Sequence, residues 1–177
     1  MNIHTHTGYI AYLRSLAETH KNIKHSKNES HFARLTLTAS PFVKEAYIQE
    51  FISSLKSKIH FPAMLVENYT ANYDDQGGDN IIKYFDGCFI LLDIVRADDF
   101  DAEESVMDRM EAVAEEMLGK IWNDIREQYD GMALMEFNRT GIEKLAKICG
   151  KYFGVRVDFC YLTGSNNNLN FNPNNWQ

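Results

Sequence analysis

Six histidines stand in the first 60 residues and none follow: His4, His6, His20, His25, His31 and His60. Neutral imidazoles bind transition metals well, so metal binding is the first chemistry on offer. His4 and His6 alternate and point the same way on an extended segment. His20, His25 and His31 bracket a polar stretch. No cysteine or carboxylate completes a recognised metal spacing, and His20 and His25 match one helix face poorly. Solvated or cap-like histidines are therefore the simpler reading. A zinc or nickel site, or an enzyme using this His-rich region with a carboxylate from elsewhere, stands as an alternative.

Carboxylates are the second resource. Asp98, Asp99, Asp101, Glu103 and Glu104 form an acidic run, and hard cations prefer carboxylate oxygens. The run lacks the alternating acids, central glycine and terminal glutamate of a calcium loop. A helix start explains it, because acids near the free N–H groups of a first turn contribute about 0.3–1 kcal/mol each. Asp101 and Glu104 have capping-box spacing. Asp74, Asp75, Gln76, Gly77, Gly78 and Asp79 form a second acidic segment, whose glycine and Asx density marks a turn. Both acidic segments are read as partner-facing. A cytoplasmic adaptor binding a basic partner through the acidic region is a further alternative, one that predicts binding weakened by salt.

Nothing matches a nucleophile elbow, a phosphate loop, a dinucleotide fingerprint or a paired zinc motif. Gly77-Gly78 lacks the lysine and helix a phosphate loop needs. Lys144, Lys147 and Lys151 read as a solvated helix face. Cys88, Cys149 and Cys160 fit no redox or zinc pattern and read as reduced thiols, as in a cytoplasmic protein. Three Asn-X-Ser/Thr matches, at Asn28, Asn68 and Asn138, read as chance. The expectation is a protein without catalytic residues, metal, cofactor or small-molecule substrate.

Composition narrows the class. The chain has 177 residues, is 45% hydrophobic and carries a net charge of −7. That balance argues against a general nucleic-acid binder. No run of about 18 apolar residues suggests a membrane span, and Met1-Asn2-Ile3-His4 does not open a signal peptide. The charge is uneven: +4 over 1–60, −4 over 61–92, −9 over 93–130 and +2 over 131–177. A protomer with a basic end and an acidic region can pair head to tail.

The elements that hold these groups follow from apolar spacing. Tyr9, Ile10, Leu13, Leu16 and Ala17 predict a helix over 8–20, and 31–39 a short strand. Ser40-Pro41 starts a second helix running to about residue 58, with Phe42, Val43, Ala46, Tyr47, Phe51, Leu55 and Ile59 as its stripe. Two β-rich runs, 61–73 and 81–95, flank the glycine turn and predict a long antiparallel hairpin. Val106, Met110, Val113, Met117, Leu118, Ile121, Ile125 and Tyr129 predict a long helix over 102–129. A strand over 132–137 follows, then a short helix carrying Ile142, Leu145, Ala146 and Cys149. Strict alternation of Phe153, Val155, Val157, Phe159 and Tyr161 with Gly154, Arg156, Asp158 and Cys160 predicts a half-buried strand. The fold class is α+β: an antiparallel sheet with a long hairpin, packed against two long amphipathic helices. Three parts are expected: an N-terminal helical extension over 1–39, the α+β domain over 40–162, and an Asn-rich irregular tail over 163–177.

The order helix, long hairpin, helix, strand over 41–162 resembles the bacteriophage tail-terminator and tail-completion proteins. The resemblance implies a compact α+β protomer that self-associates into a ring capping the tail tube, with a loop near its lumen. It implies a non-enzymatic structural protein of a phage or prophage tail, cytoplasmic before assembly or held in a virion. Its partners would be copies of itself and other tail proteins.

Overall fold

The computed structural model describes residues 3–35, 50, 58–75, 77, 78, 80–96, 99–129, 133–165, 169 and 172–175. The helix expected over 41–58 lies outside the described residues except at positions 50 and 58.

The first helix, α1 (His6–Thr19), starts where Thr5 Oγ1 accepts the Gly8 N–H at 3.1 Å. Among the described residues seven strands then make one sheet: β1 (Phe32–Leu35), β2 (Ala63–Glu67), β3 (Thr70–Asp74), β4 (Ile82–Ile94), β5 (Ala133–Met135), β6 (Gly141–Ile148) and β7 (Tyr152–Gly164). Between β4 and β5 runs α2 (Phe100–Tyr129), 30 residues or about 45 Å long. A 3₁₀ turn, Phe137–Arg139, separates β5 from β6.

The strands occupy five rows. Central β4 and β7 pair antiparallel along their whole length, from Ile82 opposite Gly164 to Ile94 opposite Tyr152. β2 and then β3 run along the other edge of β4, so the expected hairpin forms with an interruption in its first arm. β5 and then β6 run along the other edge of β7. β1 lies outside β2.

Two expectations need correction. The sheet is mixed, because β1 pairs parallel with β2, Phe32 opposite Met64. Parallel neighbours need a crossover of a dozen or more residues, and the stretch between β1 and β2 is long enough for one. Residues 141–148 are a strand, not a helix. Ile142 packs on the helix-side core, while Leu145 and Ile148 pack on the opposite face. A register shift between Leu145 and Ile148, with Lys147 at φ 57, keeps those two on one face. A face switch plus a bulge thus reproduces the three-residue spacing of a helix.

α1 and α2 lie side by side and antiparallel on one face of the sheet. Tyr12 meets Asp124 and His20 meets Glu116. Met110, Val113, Ala114, Met117, Ile121 and Ile125 of α2 pack with Tyr9, Leu13 and Leu16 of α1 on Phe89, Val155, Val157 and Phe159. These sheet residues are the odd-numbered positions, as the alternation in β7 requires. The even positions of β4 and β7 face the other way, where Leu35, Leu65, Ile90, Leu92 and Tyr152 form a second buried cluster. Tyr161 Oη donates to the Ile3 carbonyl at 2.6 Å, joining the start of the described chain to the last strand. α1 and β1 therefore share one core with the hairpin and α2. Among the described residues no helix is long and apolar enough to cross a membrane.

Candidate functional site

Both outer rows break at the same level of the sheet. Val66 stands opposite Phe89 and Thr70 opposite Asp86, so Glu67, Asn68 and Tyr69 span only Gly87 and Cys88. On the far side Met135 stands opposite Tyr161 and Gly141 opposite Asp158, so residues 136–140 span only Phe159 and Cys160. The inner rungs between these breaks pair Gly87 with Phe159 and Cys88 with Asp158. Bulges of this kind bend a strand and re-aim its side chains. Here they bring Glu67 and Arg139 over the face away from the helices, beside Asp86, Arg156 and Asp158.

The five charges form two groups. Arg156 donates from Nη1 to Glu67 Oε1 at 2.6 Å, and from Nε and Nη2 to the two oxygens of Asp158, each at 2.9 Å. Glu67 is only 6% exposed. Burial opposes the Arg156 cation, but the Asp158 and Glu67 hydrogen bonds outweigh it and hold the guanidinium charged. In the second group, Arg139 Nη2 donates to Asp86 Oδ2 at 2.6 Å and Asn72 Nδ2 donates to the same oxygen at 3.0 Å. The Arg139 guanidinium also lies 5.1 Å from the Tyr84 ring centre. A small cleft of about 160 Å³ lies over the first group, and an open one of about 500 Å³ runs from Arg139 past Tyr84, Asn72 and Glu136.

Two thiols border the groups. Burial pushes Cys88 up, and burial with an Asp86 hydrogen bond pushes Cys160 up to about 12. Neither is poised as a thiolate nucleophile at neutral pH. The arrangement offers charge-assisted hydrogen bonds and shape.

The sequence-derived candidates fall elsewhere. Asp74 ends β3. Asp75 Oδ1 accepts the Gly77 N–H at 2.9 Å and its carbonyl accepts the Gly78 N–H at 2.8 Å, closing a turn with Gly77 at φ 72. Gln76, Asp79 and Asp98 lie outside the described residues. Asp99 Oδ1 accepts the Ala102 N–H at 3.1 Å, so Asp99 caps α2, two residues before the expected Asp101. Asp101, Glu103 and Glu104 occupy the first turns. The two acidic segments sit at opposite ends of β4, about 40 Å apart at the usual strand rise. They form no common surface.

The histidines also separate, each as a contact of the N-terminal region. His4 lies against Phe85 and Tyr161, and His6 against Tyr69. His20 Nδ1 accepts the Asn22 N–H, so its Nε2 is the nitrogen that donates to Glu116, at 3.0 Å. His25 Nδ1 accepts the His31 N–H at 3.2 Å, and His31 lies 5.6 Å from His60. Among the described residues no three His, Cys, Asp or Glu side chains are grouped to hold a metal. The lysines read as one helix face divide as well. Lys144 pairs with Asp108 and Glu111 of α2, Lys147 lies over Phe100 and Lys151 over Tyr152.

Glu67, Asp86, Arg139, Arg156 and Asp158 were not singled out by motif. Their signal was polarity inside apolar strand runs. No protein-family model matches the chain, and no curated protein matches it in sequence.

Proposed function

We propose that the chain is a non-enzymatic, self-associating ring subunit of the tail-terminator or tail-completion type found in phage and prophage tails. One observation carries the reading: the same rungs of the sheet end in open edges on both sides. Tyr73 pairs with Lys83, Lys83 with Thr163 and Thr163 with Ala133; the next rung runs Asn72, Tyr84, Leu162, Leu134. β3 ends these rungs on one side and β5 on the other, and among the described residues neither has a further strand beyond it. Large apolar side chains lie exposed at both: Tyr73 at 49%, Leu134 at 53% and Phe137 at 55%.

The strand directions favour the same contact. β3 runs antiparallel to β4 and β5 antiparallel to β7, so β3 and β5 are antiparallel to one another. A neighbour placed beside this copy in the same orientation brings its β3 antiparallel to β5, continuing the sheet. Two different surfaces meeting in this way make a ring when the rotation closes. Unpaired edges are templates for such pairing, and lysine on an edge blocks it.

Sedimentation over a range of protein concentrations tests the proposal. A discrete oligomer is expected for the natural chain, and folded monomers for Tyr73→Lys and Leu134→Lys. A natural chain that stays monomeric at every concentration and binds no tail component removes it.

A further inference from the structure

A second cleft, of about 400 Å³, lies away from the charged network and the open edges. It forms where the loop after α1 meets the approach to β2, the C-terminal end of β4 and one side of α2. Lys21, Lys24, His31 and Arg109 line it, with Glu29 and Asp93. Asp93 is already committed: it accepts from Arg109 Nη2, and its other oxygen accepts the Ile94 N–H at 2.7 Å. Arg109 is therefore anchored through one nitrogen. Among the described residues Lys21 and Lys24 have no ion-pair partner.

The backbone delivers the two lysines together. The Ile23 and Lys24 N–H groups both donate to the His20 carbonyl, at 3.1 and 3.0 Å. Lys24 holds φ 55, in the left-handed region that side-chain-bearing residues seldom adopt. His31 Nδ1 must donate to the Pro62 carbonyl, 2.8 Å away, which fixes the ring and leaves Nε2 as its other polar atom. The cleft thus gathers three cations, Lys21, Lys24 and Arg109, from two separate segments against two carboxylates, Glu29 and the already committed Asp93.

We propose that this cleft binds a small phosphate-bearing anion held by Lys21, Lys24 and Arg109. A guanidinium presents paired donors to phosphoryl oxygens, and an ammonium acts as a point charge beside it. The volume, about 400 Å³, lies within the range of small-ligand pockets, about 300–1,000 Å³. The inference is independent of the ring.

Amide NMR titration of the full chain with inorganic pyrophosphate, at ionic strength held constant with chloride, tests it. Saturable shifts are expected at residues 21–24, 31, 93, 94 and 109. The double variant Lys21→Gln with Lys24→Gln should weaken binding about tenfold or more, since it removes two charge-assisted contacts. Neither lysine is part of the core, so this variant should melt as the natural chain does. A parallel titration with ADP separates two sources of the same chemistry. Tighter binding than pyrophosphate assigns a nucleoside diphosphate, and equal or weaker binding assigns the bare diphosphate. Absent or unsaturable shifts, or unchanged affinity in the double variant, overturn the proposal.

Discussion

The Tyr9 hydroxyl takes both backbone hydrogen bonds of Cys88: it accepts the Cys88 N–H at 3.1 Å and donates to the Cys88 carbonyl at 3.3 Å. Cys88 sits opposite the interruption between β2 and β3, where among the described residues no strand pairs with β4 on that side. A side chain from a helix thus completes the sheet. Burial raises the Tyr9 phenol well above its ordinary range, so it keeps the proton it donates.

Removing that hydroxyl exposes the gap. Tyr9→Phe keeps the ring against Tyr69 and Phe159 but leaves a buried N–H and C=O unpaired. A loss of about 1–3 kcal/mol per unsatisfied group is the usual cost. Denaturant unfolding should show a clear drop in midpoint with an unchanged slope. An unaltered midpoint would mean that Cys88 finds another partner.

The Glu67–Arg156–Asp158 group makes a second, separable prediction. Arg156→Met takes the Arg156 charge away from buried Glu67, and breaking a buried pair in this way typically costs about 3–5 kcal/mol. Adding Glu67→Leu should recover much of that loss, because the buried charge is gone. A double variant no better than the single one would show that Glu67 is not the source of the penalty.

Stability should rise with pH below neutrality. Burial, then the Lys83 charge, lowers His4 below the ordinary histidine value of 6.5. Burial lowers His25 in the same direction, partly opposed by Glu18. Between those lowered values and 6.5 the unfolded chain binds more protons than the folded one, so acid favours unfolding. The contribution is full above 6.5 and is lost as pH falls through the folded values. His4→Phe with His25→Asn should flatten this part of a plot of unfolding midpoint against pH. A slope equal to that of the natural chain would assign the effect to other groups.

Thiol labelling gives the simplest check. Cys88 and Cys160 are buried, and Cys149 is half-buried. Iodoacetamide on the native protein should modify Cys149 at most, and all three only in denaturant. Mass spectrometry reads the count directly. Fast labelling at Cys88 or Cys160 would contradict both their burial and their raised thiols.

Elements with one period and one buried face were legible in the sequence. α2 followed from Val106 to Ile125, and β7 from the alternation through Tyr161. β6 was misread because Ile142 packs on one face and Leu145 and Cys149 on the other, with a bulge after Leu145, and spacing alone cannot tell that from a helix. The parallel pairing of β1 was hidden because pairing partners lie far apart in sequence. The charged network was hidden for a related reason: Glu67 and Arg156 are 89 residues apart and meet only across three rows of the sheet. The acidic segments were conspicuous, yet they lie at opposite ends of β4. A run of charge reports solvation more directly than it reports a shared surface.

The bond from Tyr161 to Ile3 also bears on how the chain reaches this fold, because it joins positions 158 residues apart. On a ribosome adding about 5–20 residues per second, residue 3 waits roughly 8–30 seconds for that partner to be made. Tyr9 likewise waits for Cys88, 79 residues on. α1 therefore emerges first with its apolar face uncovered. Contacts this distant in sequence close slowly and late. The window in which nascent copies can join wrongly ends only when β7 is laid beside β4.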